Sequence, residues 1–109
     1  MIRAIYNERE YSLKVSGHAG YAQAGADIVC AGVSGICDAL IGAASSESKR
    51  LLPAIYHNRE RGELRIELYP EKERDRLRAK TMLEMAYIGF EKIESRHGEY
   101  IECQRAEEE

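Results

Sequence analysis

Hydrophobic and polar positions alternate with two different periods along this chain, and the switches between the periods lay out its elements. Residues 2–6 form an apolar-rich run expected as a short strand, and Asn7-Glu8-Arg9-Glu10 is a polar turn. From 11 to 17 the alternation is strict: Tyr11, Leu13 and Val15 face one way, and Ser12, Lys14 and Ser16 the other. Period two marks a half-buried strand, so the pair predicts a hairpin. Gly17 ends the alternation and leaves His18 at the strand's exit. Between His18 and Asp27 glycine and alanine dominate without usable period. This stretch, with Gly20 and Gly25, is expected as a mobile loop.

A helical period follows. Asp27 is read as an N-cap. Val29, Val33, Ile36, Cys37, Leu40, Ile41 and Ala44 recur at spacings of three and four, tracing an apolar stripe to about Ser46. Gly32, Gly35 and Gly42 each weaken such a helix by up to ~1 kcal/mol relative to Ala. A helix carrying that cost is expected to be buried, its small residues allowing close approach to a sheet. Residues 53–58 and 63–69 predict a second hairpin around a turn at 58–62, with Leu64, Ile66 and Leu68 facing the core. Pro70 stops the last of these strands. Leu77, Met82, Met85, Ala86, Gly89 and Ile93 give a second helix its apolar face, ending near His97-Gly98. Residues 99–104 complete a fifth strand. The order ββαββαβ predicts a single α+β domain over residues 1–109, a mostly antiparallel five-stranded sheet with two helices.

Composition narrows the class. A chain of 109 residues buries roughly two-thirds of its unfolded surface, enough for a core without staples. No apolar run is read as approaching the ~20 residues of a membrane span, and the N-terminal residues lack a signal-like apolar region. The expectation is a soluble, cytoplasmic protein that meets no membrane. Net charge is −3, from 19 acidic and 16 basic residues, which gives no general field for nucleic acid. Lys72, Arg74, Arg76, Arg78 and Lys80 are interspersed with Glu71, Glu73 and Asp75, as on a solvated helix face. Glu107, Glu108 and Glu109 read as a solvated tail. The three cysteines form no C-x-x-C pair and no zinc-ligand spacing, so neither metal nor cofactor is expected.

Candidate chemistry gathers around Cys30. Counted from Asp27, it falls in the first helical turn, where unpaired N–H groups and the helix dipole favour an anion. Those N–H groups would also receive an oxyanion. His18, twelve residues earlier, is placed to take the thiol proton and return it to a leaving amine. Asp27 either caps the helix or orients His18, and Ser34 lies one turn beyond Cys30. The competing reading treats a lone helical cysteine as a small core residue. That reading suits Cys37 and Cys103, while His57 and His97 read as surface residues. Residue types and spacing alone leave both readings of Cys30 open.

The block Gly17-His18-Ala19-Gly20-Tyr21-Ala22, then Gly25, Asp27-Ile28-Val29-Cys30-Ala31 and Val33-Ser34, resembles the ribosomal-processing cysteine protease family (Prp, YsxB-like) in order and spacing. Outside the block the likeness is one of architecture. The resemblance implies a catalytic dyad of His18 and Cys30, support from Asp27 and Ser34, and a lid between His18 and Asp27. It further implies a cytoplasmic homodimer that removes the N-terminal extension of bacterial large-subunit ribosomal protein twenty-seven, cutting after an aromatic pair. The partner would then be that N-terminal segment, with no cofactor and no direct nucleic-acid binding. Two rivals belong to other classes: a non-enzymatic ribosome-associated module that grips a peptide or RNA, and a thiol redox sensor. The sensor is disfavoured because Cys37 lies two turns from Cys30, roughly 10 Å of rise, beyond disulfide reach.

Overall fold

The computed structural model describes residues 1–19 and 24–106; the side chains of residues 24–27 and the acidic tail at 107–109 lie outside the described residues. The elements are β1 (Ile2–Asn7), β2 (Ser12–Ser16), α1 (Ala24–Ser46), α2 (Ser48–Leu51), β3 (Ala54–Asn58), β4 (Glu63–Glu67), α3 (Glu73–His97) and β5 (Ile101–Arg105). Both expected hairpins form. They join into one sheet through β2 and β4, in the order β3-β4-β2-β1-β5.

The sheet is mixed, which corrects the mostly antiparallel expectation. β1, β2 and β4 alternate in direction, so β4 runs the same way as β1. The 25-residue α3 then carries the chain back along the sheet, and β5 enters parallel to β1 with Ile2 opposite Ile101. A parallel partner needs a crossover of this length.

The helix count is also corrected, from two to three. After α1 the chain makes one further turn, α2, which buries Leu51 and ends with Leu52 in the left-handed region at φ +48°. The start of α1 differs as well. The helix begins at Ala24, so Asp27 lies inside it rather than capping it, and Gly25 belongs to helix rather than loop. Alanine is the strongest helix former, and Ala24 and Ala26 extend the helix back through a stretch whose composition had suggested a loop.

One face of the sheet holds the core. Ile2, Ala4 and Tyr6 are buried in β1 while Arg3 between them is exposed, and Leu64 and Ile66 are buried in β4 around exposed Arg65. Against this face pack Val29, Val33, Cys37, Leu40 and Ala44 of α1, and Leu83, Ala86, Tyr87 and Phe90 of α3. Each large apolar side chain so buried contributes about 1.5–3 kcal/mol. The close approach expected against the sheet occurs instead against α3: a Cβ built on Gly89 would lie 2.8 Å from Ile36 Cδ1, and one on Gly32 3.2 Å from Ile93 Cδ1.

The segment Ile28–Ser46, 19 residues of mean hydropathy 1.8, is long and apolar enough to cross a bilayer by length and composition. This corrects the reading that no run approaches that length. In the fold its apolar stripe is spent on the sheet and on α3.

The burial pattern separates two large apolar positions on α3. Phe90→Ala, at a position with 0% exposure, is expected to cost about 3–5 kcal/mol in a urea titration. Met85→Ala, at 72% exposure, is expected to stay within about 0.5 kcal/mol of the parent.

Candidate active site

The exit of β2 is shaped by backbone. Gly17 has φ +98°, a conformation that L side chains avoid, and a Cβ there would collide with the Met1 carbonyl oxygen. The next residue, His18, is therefore carried out of the sheet rather than along it. The Met1 nitrogen donates to its carbonyl at 2.8 Å. On the other side lies the β3–β4 turn. Gly62, at φ +65°, is so close that an added Cβ would strike Gly17 O and come within 3.0 Å of His18 Cε1.

These segments and α1 enclose a cleft of about 250 Å³, whose walls include His18, Cys30, Ser34, His57, Asn58 and Arg59. The structure thus brings His18, Cys30 and Ser34 to one cavity. Cys30 is half-buried, and Ser34, one turn further along α1, is exposed. The Asp27 side chain and Gly20 lie outside the described residues. Among the described residues no hydrogen bond joins His18 to Cys30. The imidazole Nε2 instead lies 3.1 Å from the Glu60 main-chain oxygen. A carbonyl oxygen only accepts, so this contact makes Nε2 the protonated nitrogen. A neutral ring then carries its lone pair on Nδ1, the atom left to accept a proton.

The helix start at Ala24 changes one expected source of activation. The first four N–H groups of a helix are those without intrahelical partners, and Cys30 is the seventh residue of α1. The field of a helix terminus fades within its first turn. Cys30 therefore lies beyond the turn whose free N–H groups were expected to favour its anion. Neutral donors in the cleft wall include the Ser34 hydroxyl and the Asn58 amide.

The other two cysteines are chemically quiet. Burial, reinforced by the Asp38 carboxylate, pushes the Cys37 thiol up to about 11. Burial, with Glu94 and Glu91 nearby, pushes Cys103 up to about 12. Both stay protonated at neutral pH, as expected of core thiols.

His57 was expected on the surface. It is exposed, and it also lines the cleft with its neighbours Asn58 and Arg59. The signal for this was the pairing of β2 with β4: Ser16 lies opposite Glu63, which places the turn at 58–62 beside Gly17 and His18. Reading the two hairpins as separate units concealed that adjacency.

Residues 1–102 match a protein-family model described as cysteine protease Prp. No curated protein sequence matches the chain. Among solved structures, an essential ribosomal processing protease Prp from S. aureus, in complex with a covalently linked product peptide, is similar with a TM-score of 0.79 at 22% identity, covering 97% of this chain and 100% of that one. The same S. aureus protease with a substrate peptide gives 0.76 at 21% identity, with coverage of 97% and 100%. SMU.848 from Streptococcus mutans gives 0.78 at 23% identity, with coverage of 96% and 93%. At these identities the structural likeness shows the fold.

Alkylation of the folded protein with iodoacetamide at pH 8 should modify Cys30 alone. The thiolate is the reacting species, and Cys37 and Cys103 hold their protons to about 11 and about 12. Peptide mapping that found either of those two labelled before unfolding would contradict this assignment.

Proposed function

The chain belongs to the cysteine protease Prp family, and from that membership we propose that it is a ribosomal-processing endopeptidase using Cys30 and His18. The observation that supports this most is that thiol and imidazole line one open cleft, in a chain that matches the family over nearly its whole length. His18 Nδ1 takes the Cys30 proton. The sulfur attacks the scissile carbonyl carbon, and the tetrahedral species collapses as the imidazolium hands its proton to the departing amine. Water, deprotonated by the same ring, then attacks the thioester carbonyl. The carboxylate product leaves, and the thiol regains its proton. The separation of His18 from Cys30 in the free protein is compatible with this course, since catalytic hydrogen bonds commonly tighten only around substrate.

The substrate in this reading is the N-terminal extension of large-subunit ribosomal protein twenty-seven. The S. aureus protease of the same fold is a ribosomal processing enzyme seen with substrate and product peptides, which supports a peptide as the ligand here. Ser34 is assigned a supporting role, as a hydroxyl one turn from the sulfur. The same proposal includes a cytoplasmic location and a homodimer. Sedimentation equilibrium giving only the 12.4 kDa monomer would refute the homodimer.

Cys30→Ala should abolish cleavage of a peptide spanning the extension while leaving peptide binding and the melting curve unchanged. His18→Ala should lower kcat by about 10²–10⁴-fold. Wild-type turnover in Cys30→Ala would exclude this mechanism, and a parent protein that binds the peptide without cutting it would favour a module that only binds.

A further inference from the structure

The turn at 58–62 supplies no reacting atom to the mechanism above, yet it is braced in three directions. Within itself, the Arg61 N–H donates to Asn58 Oδ1 at 3.1 Å, and the Gly62 N–H donates to Arg59 O at 3.2 Å. Toward β2, the Glu60 carbonyl accepts from His18 Nε2 at 3.1 Å. Toward α1, the Arg59 guanidinium Nη2 donates to Asp38 Oδ1 at 2.7 Å. Asp38 stands eight residues beyond Cys30 on the same helix. The ion pair therefore ties the turn that holds the imidazole to the helix that holds the sulfur.

The side chains of this pair are 65% and 48% exposed. Exposed pairs add little to global stability. Its consequence is geometric. Arg59 and Glu60 are consecutive, and anchoring one fixes the direction of the other's carbonyl. That carbonyl is the acceptor that selects the ring nitrogen carrying the proton.

Resting on the protease reading, we propose that Arg59 and Asp38 are positioning residues whose ion pair fastens the β3–β4 turn to α1 and thereby holds the Glu60 carbonyl that fixes the His18 tautomer. Without the pair, the turn is tied to α1 at no other described hydrogen bond. The Glu60 carbonyl moves off Nε2, and the neutral ring divides between its two tautomers. Only the tautomer with a lone pair on Nδ1 takes the proton in the mechanism above, so turnover falls while peptide binding persists.

The test compares Arg59→Ala, Asp38→Ala, the double alanine variant and the charge-exchanged Asp38→Arg/Arg59→Asp protein. Each single variant should lose about ten- to a hundredfold in kcat, the range that small misplacement of a reacting group produces. KM should change by less than about twofold, the signature of an interaction that acts in the transition state. The double variant should be no worse than the worse single variant, and the exchanged protein should recover most of the loss. Nitrogen NMR of the His18 ring in substrate-free protein should show a smaller Nε2–H fraction in each single variant and its return in the exchanged one. An unchanged ring spectrum in both single variants would overturn the proposal. So would multiplicative losses, or a rise in KM alone, which would make Arg59 a peptide contact. The ring spectrum is independent of cleavage: a parent protein that cuts no peptide would sink the protease reading, while the spectrum would still decide the tether.

Discussion

Three lengths of main chain meet at the exit of β2, and the cleft exists because they can. The start of β1, Gly17 and the β3–β4 turn at Gly62 approach so closely that a side chain at either glycine would collide with a carbonyl oxygen. Both glycines occupy the left-handed region, at φ +98° and +65°. This contact turns the chain out of the sheet at His18 and brings the hairpin turn against the imidazole. It also leaves space beneath, between the strand ends and α1. The packing here is backbone on backbone, so main chain sets the exit of β2, and the Arg59 side chain adds the tie from the turn to α1.

Helix α1 meets that space with two rows of residues. Val29, Val33, Cys37, Leu40 and Ala44 are buried against the sheet and α3. Their burial, about 1.5–3 kcal/mol for each of the larger ones, fixes the rotation of the helix about its axis. A second row follows one position on: Cys30, Ser34 and Asp38, spaced by four. Successive turns of one helix thus present a thiol, a hydroxyl and a carboxylate in line, the first two to the cleft and the third to Arg59 of its wall. Residues four apart stack on one helical face, so fixing the first row determines where the second points.

The sequence made some of this legible. Strict alternation through Leu13 and Val15, and again through Leu64 and Ile66, identified the strands because each has one wet face and one dry one. The stripe on α1 placed Cys30 and Ser34 on a common face. The parallel pairing of β5 with β1 was not legible, because alternation reports burial and carries no sign for strand direction. The short helix α2 escaped notice because a single turn shows no period. The start of α1 was misplaced because alanine and glycine together imitate a loop in composition, whereas alanine alone is the best helix former. Arg59 and Asp38 are charged residues 21 positions apart. Nothing local links them, and their partnership follows only once β4 is paired with β2.

The three thiols show how environment rather than residue type assigns chemistry. Cys30 and Cys37 lie on the same helix, seven residues apart, and both border the cleft. Cys37 is 5% exposed and close to the Asp38 carboxylate. Ionising it would cost solvation and repulsion together, and its proton stays in place to about 11. Cys103 in β5 is held in the same way by burial and two glutamates. Asp38 therefore has two effects at once. Its charge keeps the neighbouring thiol protonated, and its ion pair with Arg59 draws the imidazole's carbonyl support toward α1. A neutral side chain at position 38 would relax both, making Cys37 more acidic as the support for His18 loosened. Of the two sulfurs that border the cleft, Cys30 is the half-buried one and Cys37 the buried one that keeps its proton.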